Sequence, residues 1–352
     1  MFISDKQLER GQNNFDFLRF FAAFLVFFEH SSVLFQAKTF DFDIFSLLFQ
    51  FSSASIGVGI FFILSGFLIS QSFKNSSSLA DFFIKRILRI LPALICAILL
   101  SILILGAFFS NLSFLKFITH QTTLLYFQNC LIFRTHYYLP GVFENNIHSS
   151  SVNGSIWTIP YEFTSYCFLY ILMRIPKVNS KFVLLLLFII LFLAYLNYKP
   201  QIDTLVIPLI GVTFSSLMLP FLYFFMGMLF FQFKSLIKFN LWGLSLMILI
   251  LILMHFQSIP RLFNVFTLSY LVFYFAFLKI PKINNFAKYG DFSYGFYLYA
   301  FPIQQAYSAL FVGKMDFYVL IIISFFTTLL FAIFSWFVVE KPTLKLKKKF
   351  SF

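Results

Sequence analysis

Long apolar runs separated by short basic or polar breaks set the pattern of this chain. Ten such runs are read as helices, at 15–35, 48–72, 90–109, 155–173, 182–197, 213–233, 241–256, 262–278, 292–312 and 317–338. The longer ones reach the roughly 20 residues that an α-helix needs to cross a bilayer. The pattern therefore predicts an all-α integral membrane protein, a single bundle of about ten transmembrane helices. Residues 1–352 read as one domain, with no internal repeat of the kind that builds many transporters. The longest segment between spans, 110–154, is expected outside. Its part 112–133 is moderately apolar and suits an interfacial or re-entrant helix, while Thr135 to Gly154 is rich in His, Asn and Ser. A long polar loop of this kind is the expected place for an outer ligand to be recognised.

Composition agrees with the membrane reading. Hydrophobic residues make up 60% of the chain, charged residues 11%, and the mean hydropathy is +0.89, values outside the range of soluble domains. The 59 Phe are expected mainly on lipid-facing surfaces. The net charge of +13 sits in the loops: with the N-terminus inside, nineteen Lys and Arg fall in inner segments and six in outer ones. That asymmetry places both termini in the cytoplasm and accounts for the basic balance as topology, without a nucleic-acid partner. Cys96, Cys130 and Cys167 form no disulfide framework, and no metal-ligand cluster is expected.

Four clusters interrupt the apolar background. In the first run, Arg19 and His30 are separated by ten residues, nine of them hydrophobic and the tenth Glu29. An ionisable group in lipid costs about 2.5–3.5 kcal/mol or more at mid-depth, so such residues face a bundle interior and mark a functional path. Snorkelling covers Asp16 and Arg19 near the span end but covers His30 less well. The second cluster, Lys85-Arg86-Ile87-Leu88-Arg89, puts two guanidiniums on one helix face, either as a phosphate clamp or as a positive-inside anchor. The third runs from Ser155 through Trp157 and Tyr161 to Glu162. On antiparallel spans Glu162 and His30 are expected at similar depth, where a carboxylate would orient the ring; a structural Glu162 bonded to Tyr161 or Trp157 is the alternative. The fourth, Phe292 to Gln305, carries Tyr294, Tyr297, Tyr299, Gln304 and Gln305, whose polar groups need partners and point to a polar cavity.

Taken in order, these clusters resemble the integral-membrane acyltransferase family 3, which includes O-acetyltransferases of bacterial surface polysaccharides. The resemblance covers nearly the whole chain. It rests on Arg19 and His30, the run Gly57 to Ile69, Arg86 with Arg89, Trp157 to Glu162, Ser293-Tyr294-Gly295 with Tyr297-Leu298, and Glu340-Lys341-Pro342. Glu29 departs from it, since that position is usually apolar in the family, and leaves open whether Glu29 or Glu162 serves the histidine. The resemblance implies a multi-pass enzyme of the bacterial inner membrane. It would move an acetyl group from cytoplasmic acetyl-CoA, without a metal, to a hydroxyl of a cell-surface or lipid-linked glycan such as lipopolysaccharide. His30 and Glu162 would be catalytic, His30 as base or transient acyl carrier. Arg19, Arg86 and Arg89 would hold the donor, and Trp157, Tyr161, Tyr297 and Gln304 would contact substrate. Membrane lipids and glycan-assembly proteins would be its partners. A transporter or flippase for a glycan or anionic metabolite is the rival reading, because it too would use intramembrane charge.

Overall fold

The computed structural model describes residues 3–35, 44–148, 151–197, 206–207 and 212–347. Ten of its helices run thirteen residues or longer: α1 (Phe15–Leu34), α2 (Ser53–Lys74), α3 (Leu79–Leu100), α4 (Thr158–Arg174), α5 (Lys181–Leu196), α6 (Phe214–Gln232), α7 (Leu241–His255), α8 (Asn264–Ala276), α9 (Ser293–Phe311) and α10 (Phe317–Ser335). Among the described residues five helical stretches are long and apolar enough to cross a membrane: Phe15–Leu34, Ser53–Lys74, Leu79–Phe109, Phe214–Gln232 and Phe317–Lys345. A sixth results if Arg261–Ala276 and Pro281–Lys288, bent by 94°, make one span. The chain is thus a helical, multi-pass membrane protein. The other helices are shorter or, like α9 with its Tyr and Gln, more polar.

Local chemistry sets where the helices begin. Ser52, Ser78, Ser180, Thr213, Asn240 and Asp316 each cap a helix by accepting a backbone N–H of its first turn. The Ser78 cap starts α3 eleven residues before the apolar run at 90–109. Lys85, Arg86 and Arg89 therefore lie inside a helix rather than at its edge.

Small residues decide how closely the helices approach. A Cβ on Gly66 would stand 1.9 Å from the Phe224 carbonyl oxygen, and one on Gly227 would stand 2.0 Å from that of Ile63. This reciprocal pair lets α2 and α6 pack backbone to backbone, as small residues do where lipid supplies no hydrophobic drive. Phenylalanine has a larger part in the core than its lipid-facing expectation. Phe27, Phe67, Phe82, Phe188, Phe224, Phe225, Phe273, Phe277 and Phe296 are fully buried. Phe67 alone meets Phe231, Phe273 and Phe277 at centroid distances of 5.0–6.0 Å. The lipid-facing pattern is clearest on α10, where Tyr318, Ile322, Phe326, Leu330 and Phe334 form an exposed stripe at four-residue spacing.

The bundle has two chemically distinct ends. At the arginine end, Lys234 meets Asp5 at 2.5 Å, and Arg10 bonds Asp16 at 3.1 Å and the Ala287 carbonyl at 3.3 Å. At the loop end, Ser308 Oγ donates to the Leu34 carbonyl at 2.9 Å, and Gln50 Nε2 donates to that of Met254 at 2.5 Å. Residues 114–118 and 121–127 form two short helices here. The following loop is pinned to α9. Pro302 has no N–H for the Leu298 carbonyl, and Asn153 Nδ2 donates to that freed oxygen at 3.0 Å. Gln305 Nε2 donates to the carbonyls of His148 and Ser151 at 3.0 and 2.8 Å, while Asn146 donates to Gln305 Oε1 at 2.7 Å.

Candidate active site

Five charged side chains converge at the arginine end. Asp291, just before α9, bonds Arg89 at 2.5 Å and Arg19 at 3.5 Å, and Arg19 also reaches Asp16 at 3.4 Å. Burial alone would raise the Asp291 carboxyl, but Arg89 and Arg19 outweigh it and hold the group well below the usual carboxylate range. Glu340 sits in a π-helical turn, Trp336–Glu340, that continues α10. It lies 3.7 Å from Arg89 and accepts from Ser335 Oγ at 3.1 Å. Arg89 is therefore neutralised on two sides.

Arg86 is treated differently. Its Nη2 donates to Ser72 Oγ at 2.8 Å and its guanidinium lies over the Phe82 ring at 5.7 Å. Its Nε is buried with no hydrogen-bond partner, and no carboxylate among the described residues lies within ion-pair distance. The two forks, read from the sequence as a phosphate clamp or an anchor, thus differ in their partners: Arg89 closes a charge cluster, and Arg86 has no carboxylate beside it among the described residues.

Arg86 lines a cavity of about 940 Å³, counted to its open mouth, together with Arg19, Arg89, Ser65, Glu162, Tyr166, Tyr294 and Tyr297. Glu162 accepts hydrogen bonds from Ser65 Oγ at 3.3 Å and from the Tyr166 hydroxyl. It does not reach His30. Depth along a span is only one coordinate of a side chain, and rotation about the helix is the other. Glu162 and Tyr166, four apart on α4, turn toward α2 and the arginines.

His30 lines a second cavity of about 910 Å³, with Glu29, Ser52, Ser55, Trp157, Tyr195, Ser215, Ser216, Tyr223 and Tyr297. Its ring stands edge-on to Phe301 at 4.9 Å, and His148 approaches the same phenyl ring at 6.4 Å. His30 Nδ1 is buried without a partner among the described residues. Glu29 is not bonded to the imidazole either. Its Oε2 accepts the backbone N–H of Ala54 in the first turn of α2, where the helix dipole favours a carboxylate. The two cavities share Val58 and Tyr297. The Tyr297 hydroxyl is fixed by donating to the Ser155 carbonyl at 2.7 Å, with Thr158 Oγ1 at 2.9 Å, and Phe61 packs on its ring at 5.5 Å.

The remaining expected substrate contacts divide. Trp157 and Tyr297 line the His30 cavity, with Trp157 edge-on to Tyr161 at 5.1 Å. Tyr161 lies behind that wall, its hydroxyl 2.9 Å from Ser216 Oγ. Gln304 lines neither cavity: fully buried, it donates to the Phe27 carbonyl at 2.9 Å and to Ser31 Oγ at 2.6 Å, and so joins α9 to α1. Sequence reasoning gave no role to Asp291, Ser65 or Tyr166. Their signal was polarity at a span end or within a span, which names no partner.

The arrangement sets a cationic cavity beside an imidazole-bearing one, with Val58 and Tyr297 lining both. The family model described as acyltransferase domain matches residues 12–338. An "O-acetyl transferase" of Shigella phage Sf6 is 28% identical over 340 residues, covering 94% of this chain and 95% of the relative. "Nodulation protein 10" of Rhizobium leguminosarum bv. viciae is also 28% identical, over 365 residues, covering 98% and 96%. No solved structure matches. On the strength of a match that spans almost all of its length, the chain belongs to the membrane acyltransferase family 3 and is an acyltransferase.

Proposed function

We propose that this enzyme transfers an acetyl group from acetyl-CoA, entering at the arginine end, to a hydroxyl of a cell-surface or lipid-linked glycan at the loop end. In this reading all ten helices cross the bacterial inner membrane and both termini are cytoplasmic, following the nineteen-to-six bias of Lys and Arg. One observation carries the proposal. The cavity with Arg86 and the cavity with His30 have Val58 and Tyr297 in common in their linings, so the two lie side by side in the bundle. Arg86 and Arg19 offer the donor's phosphates charge-assisted bonds. The thin pantetheine arm then reaches along the cavity toward Tyr297. His30 takes the proton of the acceptor hydroxyl as that oxygen attacks the acetyl carbon. The new ester C–O bond forms, the thioester C–S bond breaks, and the proton passes to the departing thiolate. Glu162, bonded to Ser65 and Tyr166 in the cavity that the arginines line, acts on the donor side rather than by orienting the imidazole.

Mass spectrometry of surface glycans from cells with and without the protein tests the proposal. A gain of one acetyl unit that depends on the protein supports it. Identical glycan acetylation in both strains, with the protein present in the membrane, contradicts it.

A further inference from the structure

The two cavities differ in charge. Three arginines line the first, whereas among the described residues no Lys or Arg lines the second and Glu29 is its one carboxylate. An anionic donor is drawn to the first chamber, and a second anion is disfavoured in the other, where field lines run through low-dielectric walls.

We propose that the His30 cavity is the acceptor subsite and takes an uncharged, polyhydroxylated sugar ring, with Glu29 both anchoring its hydroxyls and excluding acidic sugars. This rests on the acetyl-transfer reading above. Glu29 is built for the task. The N-terminus of α2 holds one carboxylate oxygen through Ala54, and Oε1 has no protein partner among the described residues. A fixed carboxylate with a spare oxygen accepts hydrogen bonds from sugar hydroxyls and repels a uronate. The rest of the lining suits such a ring. Trp157 offers an aromatic surface, and Tyr223 offers a hydroxyl that donates or accepts. His30, on the same wall as Glu29, then meets a hydroxyl that Glu29 has positioned. The adjacency of the two in sequence turns them about 100° apart around α1, so one ring can touch both.

The test uses the purified full-length protein in lipid nanodiscs with acetyl-CoA and a panel of neutral methyl hexosides, each paired with its uronate. Wild type should favour the neutral member of a pair by about tenfold or more in kcat/KM, the scale of a like-charge penalty. Glu29→Gln keeps an oxygen for the Ala54 N–H and so keeps the α2 cap. It should bring the ratio to within about threefold without altering acetyl-CoA affinity. Glu29→Leu should raise KM for the neutral hexoside. An unchanged ratio in Glu29→Gln overturns the proposal, as does a wild-type preference for uronates or a failure of every neutral hexoside to react or compete. A wild type that binds no acetyl-CoA overturns the underlying donor reading instead.

Discussion

Arg89 and Asp291 are joined at 2.5 Å, while Arg86, one turn earlier on the same helix, has no carboxylate partner among the described residues. The geometry divides one sequence motif into an ion-paired half and a half with no carboxylate beside it, which the proposed mechanism assigns to the donor. Arg89→Ala leaves Asp291 and Glu340 as buried carboxylates short of a counter-charge, which costs about 3–5 kcal/mol when a buried pair is broken. Arg86→Ala removes a cation that has a hydroxyl partner, Ser72, but no carboxylate among the described residues. We expect thermal melts in detergent to drop sharply for Arg89→Ala and little for Arg86→Ala. Acetyl-CoA titrations of Arg86→Ala should show affinity falling by about 10- to 100-fold, the worth of a lost charge-assisted bond. Unchanged donor affinity would return Arg86 to the role of an anchor.

Lys347, within electrostatic reach of the three arginines, is expected to give the proposed donor binding a pH dependence. Burial and the nearby Arg86, Arg89, Lys85 and Arg19 push its ammonium down to about 7. Because the folded value lies below the unfolded one, the unfolded chain binds more protons between about pH 7 and 10.5. This group's contribution to stability therefore rises with pH through that window. Donor phosphates favour the protonated form, so binding takes up a proton above pH 7 and affinity falls as pH rises toward 10. Calorimetry in buffers of different ionisation heat measures that uptake, and Lys347→Met should abolish it.

Gln304 and Gln305 are neighbours with opposite duties. Gln304 joins α9 to α1, and Gln305 holds Asn146, His148 and Ser151. Gln304→Leu should lower stability by about 1 kcal/mol, as interhelical bonds in membranes typically do, and leave both KM values alone. Gln305→Leu should speed deuterium exchange across 144–153 and raise KM for the acceptor. Equal effects of the two substitutions would show that the loop is not held as described.

Much of this was legible in the sequence, for identifiable reasons. Apolar runs fix where helices lie, whereas their starts were less legible: the span read from 48 begins only at Ser53, after the Ser52 cap. Arg19, His30, Arg86 and Glu162 stand out because charge is costly in lipid. Pairings across the bundle were not legible, because they depend on rotation about each helix axis. That is why Glu162 meets Ser65 and Tyr166, why Glu29 caps α2, and why Gln304 spends its amide on α1. One pairing had a readable half. Pro302 guarantees a free carbonyl at Leu298, although nothing in the sequence names Asn153 as the donor to it.

The central claim is that transfer takes place at His30, in a chamber separate from the one that holds the donor's charge. The most direct measurement is the acetyl content of the surface glycan in cells carrying wild type, His30→Ala or His148→Ala at matched membrane levels. Loss of a general base typically lowers a rate by about 10² to 10⁴. His30→Ala should therefore leave acetylation at background, while its purified form binds acetyl-CoA as wild type does. His148→Ala, which removes only an exposed ring 6.4 Å from Phe301, should retain most of it. Near-normal acetylation by His30→Ala would contradict the claim.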